Sequence, residues 1–142
     1  LLVEARALGA NFVRLAHYPH TERMTRLADS LGLLVWSEIP VYQEDIEYGS
    51  PHTLGVARAM QRANIARDAN RASVFVWSVA NETPMHAARL AFLRQLIDDA
   101  RAQDPTRLIS AALNRSTGGS PLDIAIEDPL GEHLDLLAYN TY

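Results

Sequence analysis

The chain contains no cysteine. That excludes disulfides and thiolate-bound metals, but it leaves the compartment open, because a cysteine-free protein is viable in any redox environment. No apolar run approaches the ~20 residues that span a bilayer. There is no excess of positive charge: 13 basic residues stand against 17 acidic ones, for a net charge of -4, and the arginines are scattered. Nucleic acid and anionic membranes are therefore not expected partners. No glycine-rich phosphate loop follows any apolar run, which weighs against a nucleotide-binding open sheet. His20, His52, His86 and His133 lack metal-ligand spacing, so neither a metal nor another cofactor is expected. No secretory leader is visible, and the chain starts at Leu1 within a helical pattern. It reads as the interior of a longer protein, with its localisation undetermined.

What is present is an ordinary globular composition, 48% hydrophobic and 21% charged, sufficient for one core. Short β-rich runs alternate with amphipathic segments. A helix over 1–8 stops at Gly9, and a strand follows over 11–16. A helix over 21–31 carries Met24, Leu27, Ala28 and Leu31 on one face and stops at Gly32. A strand over 33–38 leads into a polar loop over 41–52, and a helix of weak periodicity covers 53–70. The run Val74–Ala80 is the strongest strand. Thr83 suits the cap and Pro84 the first turn of a helix running to about Ala102. A turn at 104–106, a strand over 107–113, a loop over 114–133 with room for one helical turn, and a strand over 134–140 complete the order. Continuous apolar strands joined by helical crossovers predict an α/β fold with a parallel sheet. Both an open doubly wound sheet and a closed barrel satisfy that alternation.

Chemistry-bearing residues collect after successive strands: Arg14, His17 and Tyr18 after the first, Glu38 after the second, Asn81 and Glu82 after the third, Asn140 and Tyr142 at the last. The opposite strand ends (Gly9–Ala10, Gly32, Arg71–Ala72, Thr106) read as small or turn-like. In a (β/α)₈ barrel all C-terminal strand ends open onto one face, where active sites sit. Apolar walls around a carboxyl favour its protonated form, the form from which a general acid gives a proton. Glu82, at the mouth of VFVWSVANETP, is placed for that role, and Asn81 can bond a hydroxylated ligand. The alternatives are structural. Glu82 is otherwise a helix-start carboxylate, Asn81 a turn residue, and His17 a satisfied loop histidine. Glu38 either lines the site or balances Arg14. Tyr42, Tyr48, Glu44, Asp45 and Glu47 read as solvated surface or a substrate-entry rim, and His86 as a surface histidine. Trp36, Trp77 and Phe75 read as core.

The stretches NFVRLAHYPH (11–20), LLVWSEIP (33–40), RDANRASVFVWSVANETP (67–84) and LAYNTY (137–142) resemble, in order and spacing, the barrel domain of glycoside hydrolase family 2. That family includes β-galactosidases, β-glucuronidases and β-mannosidases, and the wording around SEIP and SVANETP is most similar to its β-glucuronidase-like branch. The resemblance implies a partial TIM (β/α)₈ barrel, with residues 1–142 covering strands 2 to 6 of a single catalytic domain and strands 1, 7 and 8 missing. It implies retaining hydrolysis of a terminal β-linked sugar, without a cofactor. Glu82 would be the general acid/base, Asn81 would bind the hydroxyl beside the reacting carbon, and His17 would touch the sugar. Arg14 and Tyr142 would support the nucleophile, and Trp77 would lie in the wall beneath the site. The family's nucleophile is a glutamate ending strand 7, beyond residue 142, so the chain alone is expected to be inactive. Its two sheet edges are expected to drive self-association. Two other readings stay open: a non-catalytic carbohydrate-binding or structural remnant, and a different (β/α) enzyme using Glu82 as a base on a small carbonyl substrate.

Overall fold

The computed structural model describes residues 1–42, 46–114, 116–117 and 124–140. Its elements, in order, are α1 (Leu2–Ala7), β1 (Phe12–Leu15), α2 (Glu22–Leu31), β2 (Leu34–Glu38), α3 (Pro51–Asp68), β3 (Val74–Asn81), α4 (Ala87–Gln103), β4 (Leu108–Leu113), β5 (Ser116–Thr117), β6 (Ile124–Ala125), a 3₁₀ turn (Pro129–His133) and β7 (Leu136–Tyr139). The main sheet is fully parallel with spatial order β1-β2-β3-β4-β7. Each strand therefore lies beside its predecessor, and no strand order reverses. A doubly wound sheet needs that reversal; an unreversed sequential order with helical crossovers is instead that of an arc of a barrel.

The two faces have separate cores. Between sheet and helices, Val35, Trp77, Val79, Ile109 and Leu113 pack on Ile65, Phe92, Leu93 and Leu96. The concave face carries a smaller cluster of Trp36, Val76 and Ala112, joined by Phe75, Leu136 and Ala138. Since side chains alternate along a strand, each β-strand sends one set of residues to the helices and the other to the barrel interior.

Helix boundaries are set by capping. Gly32 closes α2 at φ 65, a left-handed conformation that costs glycine little. α3 begins ahead of the expected Thr53 because the Ser50 hydroxyl accepts the Thr53 N–H at 3.3 Å and Pro51 occupies the first turn. Its weak hydrophobic periodicity has a cause: the buried face includes Gln61, Asn64 and Asp68. The Asn64 amide donates to Ser37 Oγ at 2.9 Å and the Gln61 amide to the Leu96 carbonyl at 2.7 Å. α4 begins at Ala87, capped by His86, whose Nδ1 accepts from the Arg89 N–H at 3.2 Å. The expected Thr83 cap and Pro84 first turn are thus corrected, and the Thr83 hydroxyl is used elsewhere. Residues 116–117 and 124–125 form a short antiparallel ribbon where a loop was expected, and the single helical turn is the 3₁₀ turn at Pro129–His133.

The N-terminal strand ends differ from the small, turn-like surface expected there. Arg71 pairs with Glu22, Asp29 and Asp68, and Arg67 bonds the wholly buried Asp68. Asp104, which ends α4, accepts from Thr106, Trp77 and Arg107. Burial pushes that carboxyl upward, but these donors outweigh burial and hold it at about 2. Both ends of the sheet are polar; they differ in that the lower one is closed on itself. No helix among the described residues is long and apolar enough to cross a membrane.

Candidate active site

The C-terminal strand ends bring Arg14, His17, Glu38, Asn81, Glu82 and Asn140 together around one guanidinium. Arg14 sits on β1, pointing into the concave face, with its guanidinium carbon 5.6 Å from the Trp36 ring centroid. Its Nε donates to Glu38 Oε2 at 2.7 Å, Nη1 to Asn140 Oδ1 at 2.8 Å and Nη2 to Asn81 Oδ1 at 2.5 Å. Arginine has donors only, so it fixes the orientation of both amides: their oxygens face Arg14. Asn140 then turns its Nδ2 toward Asn81 Oδ1 and Glu82 Oε1, donating to each at 2.9 Å. β1, β3 and β7, some 126 residues apart at the extremes, are stitched into one rim.

Glu38 lies under this rim, 1% exposed. Oε2 accepts from Arg14, from Trp36 Nε1 at 2.7 Å and from Ser78 Oγ at 3.2 Å, while Oε1 meets His17 Nδ1 at 3.0 Å. A carboxylate so enclosed is stable because each charge-assisted bond replaces lost water. Of the two readings left open, the geometry favours balancing Arg14 over lining the site, since Glu38 has no exposed face. Its contact with Nδ1 leaves His17 Nε2 turned away from the carboxylate; the His17 side chain is 42% exposed and its ring centroid is 5.8 Å from that of Tyr42.

Glu82 directly follows β3 at φ 48, left-handed for a non-glycine residue, at a cost of roughly 1–3 kcal/mol. Its N–H bonds the Ala112 carbonyl at 2.8 Å, and that of Asn81 bonds the Val41 carbonyl at 2.9 Å. Strain of this kind survives only where the surroundings over-determine it, and it gathers at functional sites. Here it swings the Glu82 side chain out of the strand alternation, toward Asn140.

Two expected placements change. Trp77 is not a wall beneath the site: it belongs to the helix-side core, and its Nε1 donates to Asp104 Oδ2 at 2.9 Å, at the far end of the sheet. Trp36 takes that place. Tyr48 is buried, not solvated surface, packed edge-on to His86 and Phe92; burial pushes its hydroxyl up to about 12. Tyr142, Glu44 and Asp45 lie outside the described residues. Trp36, Ser78 and the bridging role of Asn140 were missed. The first was legible: two residues before Glu38 on one strand is the same face. The other two depend on register across strands, which one chain segment does not reveal.

Comparison with known proteins converges on one family. Residues 3–124 match the family model described as glycosyl hydrolases family 2, TIM barrel domain. A β-glucuronidase of Sus scrofa is 33% identical over 144 aligned positions, covering 96% of this chain and 20% of that protein. The solved β-D-glucuronidase of Dictyoglomus thermophilum superposes with a TM-score of 0.84 at 31% identity, over 97% of this chain and 24% of that one. A family 2 β-galacturonidase of Eisenbergiella tayi, bound to galacturonate, gives 0.87 at 25% identity over 99% and 24%. The chain thus spans about a fifth of the curated relatives it matches. With its parallel strands in barrel order and its polar rim at their C-terminal ends, this chain belongs to glycosyl hydrolase family 2 and forms an arc of that family's TIM barrel.

Proposed function

We propose that the protein carrying this chain is a retaining hydrolase of terminal β-linked sugars and that Glu82 is its general acid/base. The supporting observation is the hydrogen bond from Asn140 to Glu82 Oε1, within a rim where Arg14 orients both Asn81 and Asn140. In the first step the Glu82 carboxyl gives its proton to the glycosidic oxygen. The bond from the anomeric carbon to that oxygen breaks, the oxygen keeps the electron pair, and the aglycone leaves as an alcohol. A second carboxylate captures the sugar in a covalent ester. In the second step Glu82, now a carboxylate, takes a proton from water as water attacks the anomeric carbon; the ester bond from that carbon to the second carboxylate breaks, the carboxylate oxygen keeps the electron pair, and the free sugar leaves.

That second carboxylate lies about 5–5.5 Å from the first in retaining enzymes, and we assign it to a strand beyond residue 142. Glu38 is unsuited, being buried with both oxygens engaged. With its Oδ1 taken by Arg14 and Asn140, Asn81 offers a ligand its amide N–H groups, suited to a sugar hydroxyl oxygen. His17 offers Nε2. Arg14, directed at two amides and Glu38, sets the rim's orientation and supports the nucleophile when the barrel is complete. The relatives are named for glucuronides and a galacturonide, so a β-linked uronide is the first substrate to offer. In the full polypeptide, Glu82→Gln is expected to lower kcat/KM on an alkyl β-glycoside on the order of 10²–10⁴-fold. Unchanged turnover would defeat the assignment.

A further inference from the structure

Arg89 is 1% exposed, among the largest fully buried side chains of the molecule, and nothing in the rim just described uses it. It stands on the first turn of α4. Its Nε donates to Thr83 Oγ1 at 2.8 Å and its Nη1 to Asp128 Oδ1 at 2.7 Å. Thr83, 3% exposed, directly follows Glu82. Asp128, 7% exposed, accepts the Leu130 N–H at 2.9 Å and so caps the 3₁₀ turn that leads into β7 and Asn140.

We propose that Arg89 is a positioning residue for the general acid: through Thr83 and Asp128 it clamps the backbone carrying Glu82 to the connection carrying Asn140. The connectivity forms a closed ring. Glu82 leads to Thr83 along the chain, Thr83 to Arg89 and Arg89 to Asp128 by hydrogen bonds, and Asp128 through the 3₁₀ turn and β7 to Asn140. Asn140 returns to Glu82 Oε1. The connections after β3 and β4 thus meet at the Arg89 guanidinium.

Two features call for such a clamp. Glu82 is held at φ 48, a conformation that its own side chain does not favour, so the residue after it must be pinned. A buried ion pair is also a poor source of stability compared with apolar packing, so holding two connections in register gives Arg89–Asp128 a better rationale. The effect of losing it is geometric. A proton donor displaced by about 1 Å loses much of its effect on the barrier, while His17, which follows β1, stays in place.

The proposal rests on Glu82 being the acid, and the test separates the two. In the full polypeptide, kcat/KM is measured on two β-glycosides of one sugar, a nitrophenyl and an alkyl glycoside. The first leaves as a stabilised phenolate and needs little protonation; the second needs the acid. Glu82→Gln is the reference and is expected to hit the alkyl glycoside selectively. Thr83→Val keeps the side-chain shape and removes the acceptor; Arg89→Met removes the clamp. Both are expected to lower the alkyl rate on the order of tenfold more than the nitrophenyl rate, with KM little changed, and Thr83→Ser is expected to restore the wild-type ratio. If Glu82→Gln is selective but Thr83→Val and Arg89→Met lower both substrates equally, as loss of folded enzyme would, or neither, the clamp is overturned and the acid stands. If Glu82→Gln lowers both alike, the acid assignment fails and the clamp with it.

Discussion

Glu38 and Arg14 show how much a single pair decides at this site. Glu38 is buried with four donors, and removing its charge leaves the Arg14 guanidinium and the Trp36 N–H facing a neutral amide. Breaking one side of a buried pair typically costs more than the pair ever contributed. Arg14 is a quarter exposed, which moderates the loss. Glu38→Gln is expected to destabilise the fold by roughly 2–3 kcal/mol, read as a shift in the urea midpoint. A stability unchanged within error would show that water already satisfies Arg14. The sequence named both residues but left Glu38 between two roles, because burial is a property of what packs around a side chain.

At the scale of elements, caps and strand ends carry separable energies. Ser50→Ala removes the hydroxyl that accepts at the start of α3 and is expected to cost about 1 kcal/mol in chemical denaturation. The junction of α4 and β4 is acid-sensitive in a defined window. Asp104 titrates at about 2 when folded against an ordinary 3.8. Its contribution is complete above 3.8 and is lost as pH falls through 2, because only there does the folded carboxyl take up the proton that the unfolded chain already holds. The size is about 2 kcal/mol. Melting temperatures of wild type and Asp104→Asn should therefore differ most near neutrality and converge toward pH 2; parallel curves would rule out this linkage. The strands of the main sheet were legible to within two residues because apolar runs are local; the short ribbon of β5 and β6 was not. The start of α4 was not, because Thr83, a good capping residue by type, spends its oxygen on Arg89 from farther along the chain.

For the whole molecule, β1 and β7 each pair on one side only among the described residues. A 142-residue chain prepared alone would present both edges, and unpaired parallel edges recruit other strands. We expect it to self-associate in light scattering and to show no glycosidase turnover. A stable monomer at high concentration, or turnover lost in Glu82→Gln, would contradict one or the other.

The order of residues determined by itself that strands alternate with helices and that ionisable groups follow each strand, because periodicity and turn chemistry act over a few neighbouring residues. Alternation alone fitted both a barrel and a doubly wound sheet, and the resemblance to family 2 pointed to the barrel; the unreversed strand order bears that out. Only the tertiary structure decided that Trp77 packs on the helix side, that Glu38 lies beneath the rim, and that Asn140 reaches Glu82. Those outcomes depend on which face of a strand turns inward and on the register between strands, set by packing across the sheet and not by any local run of residues.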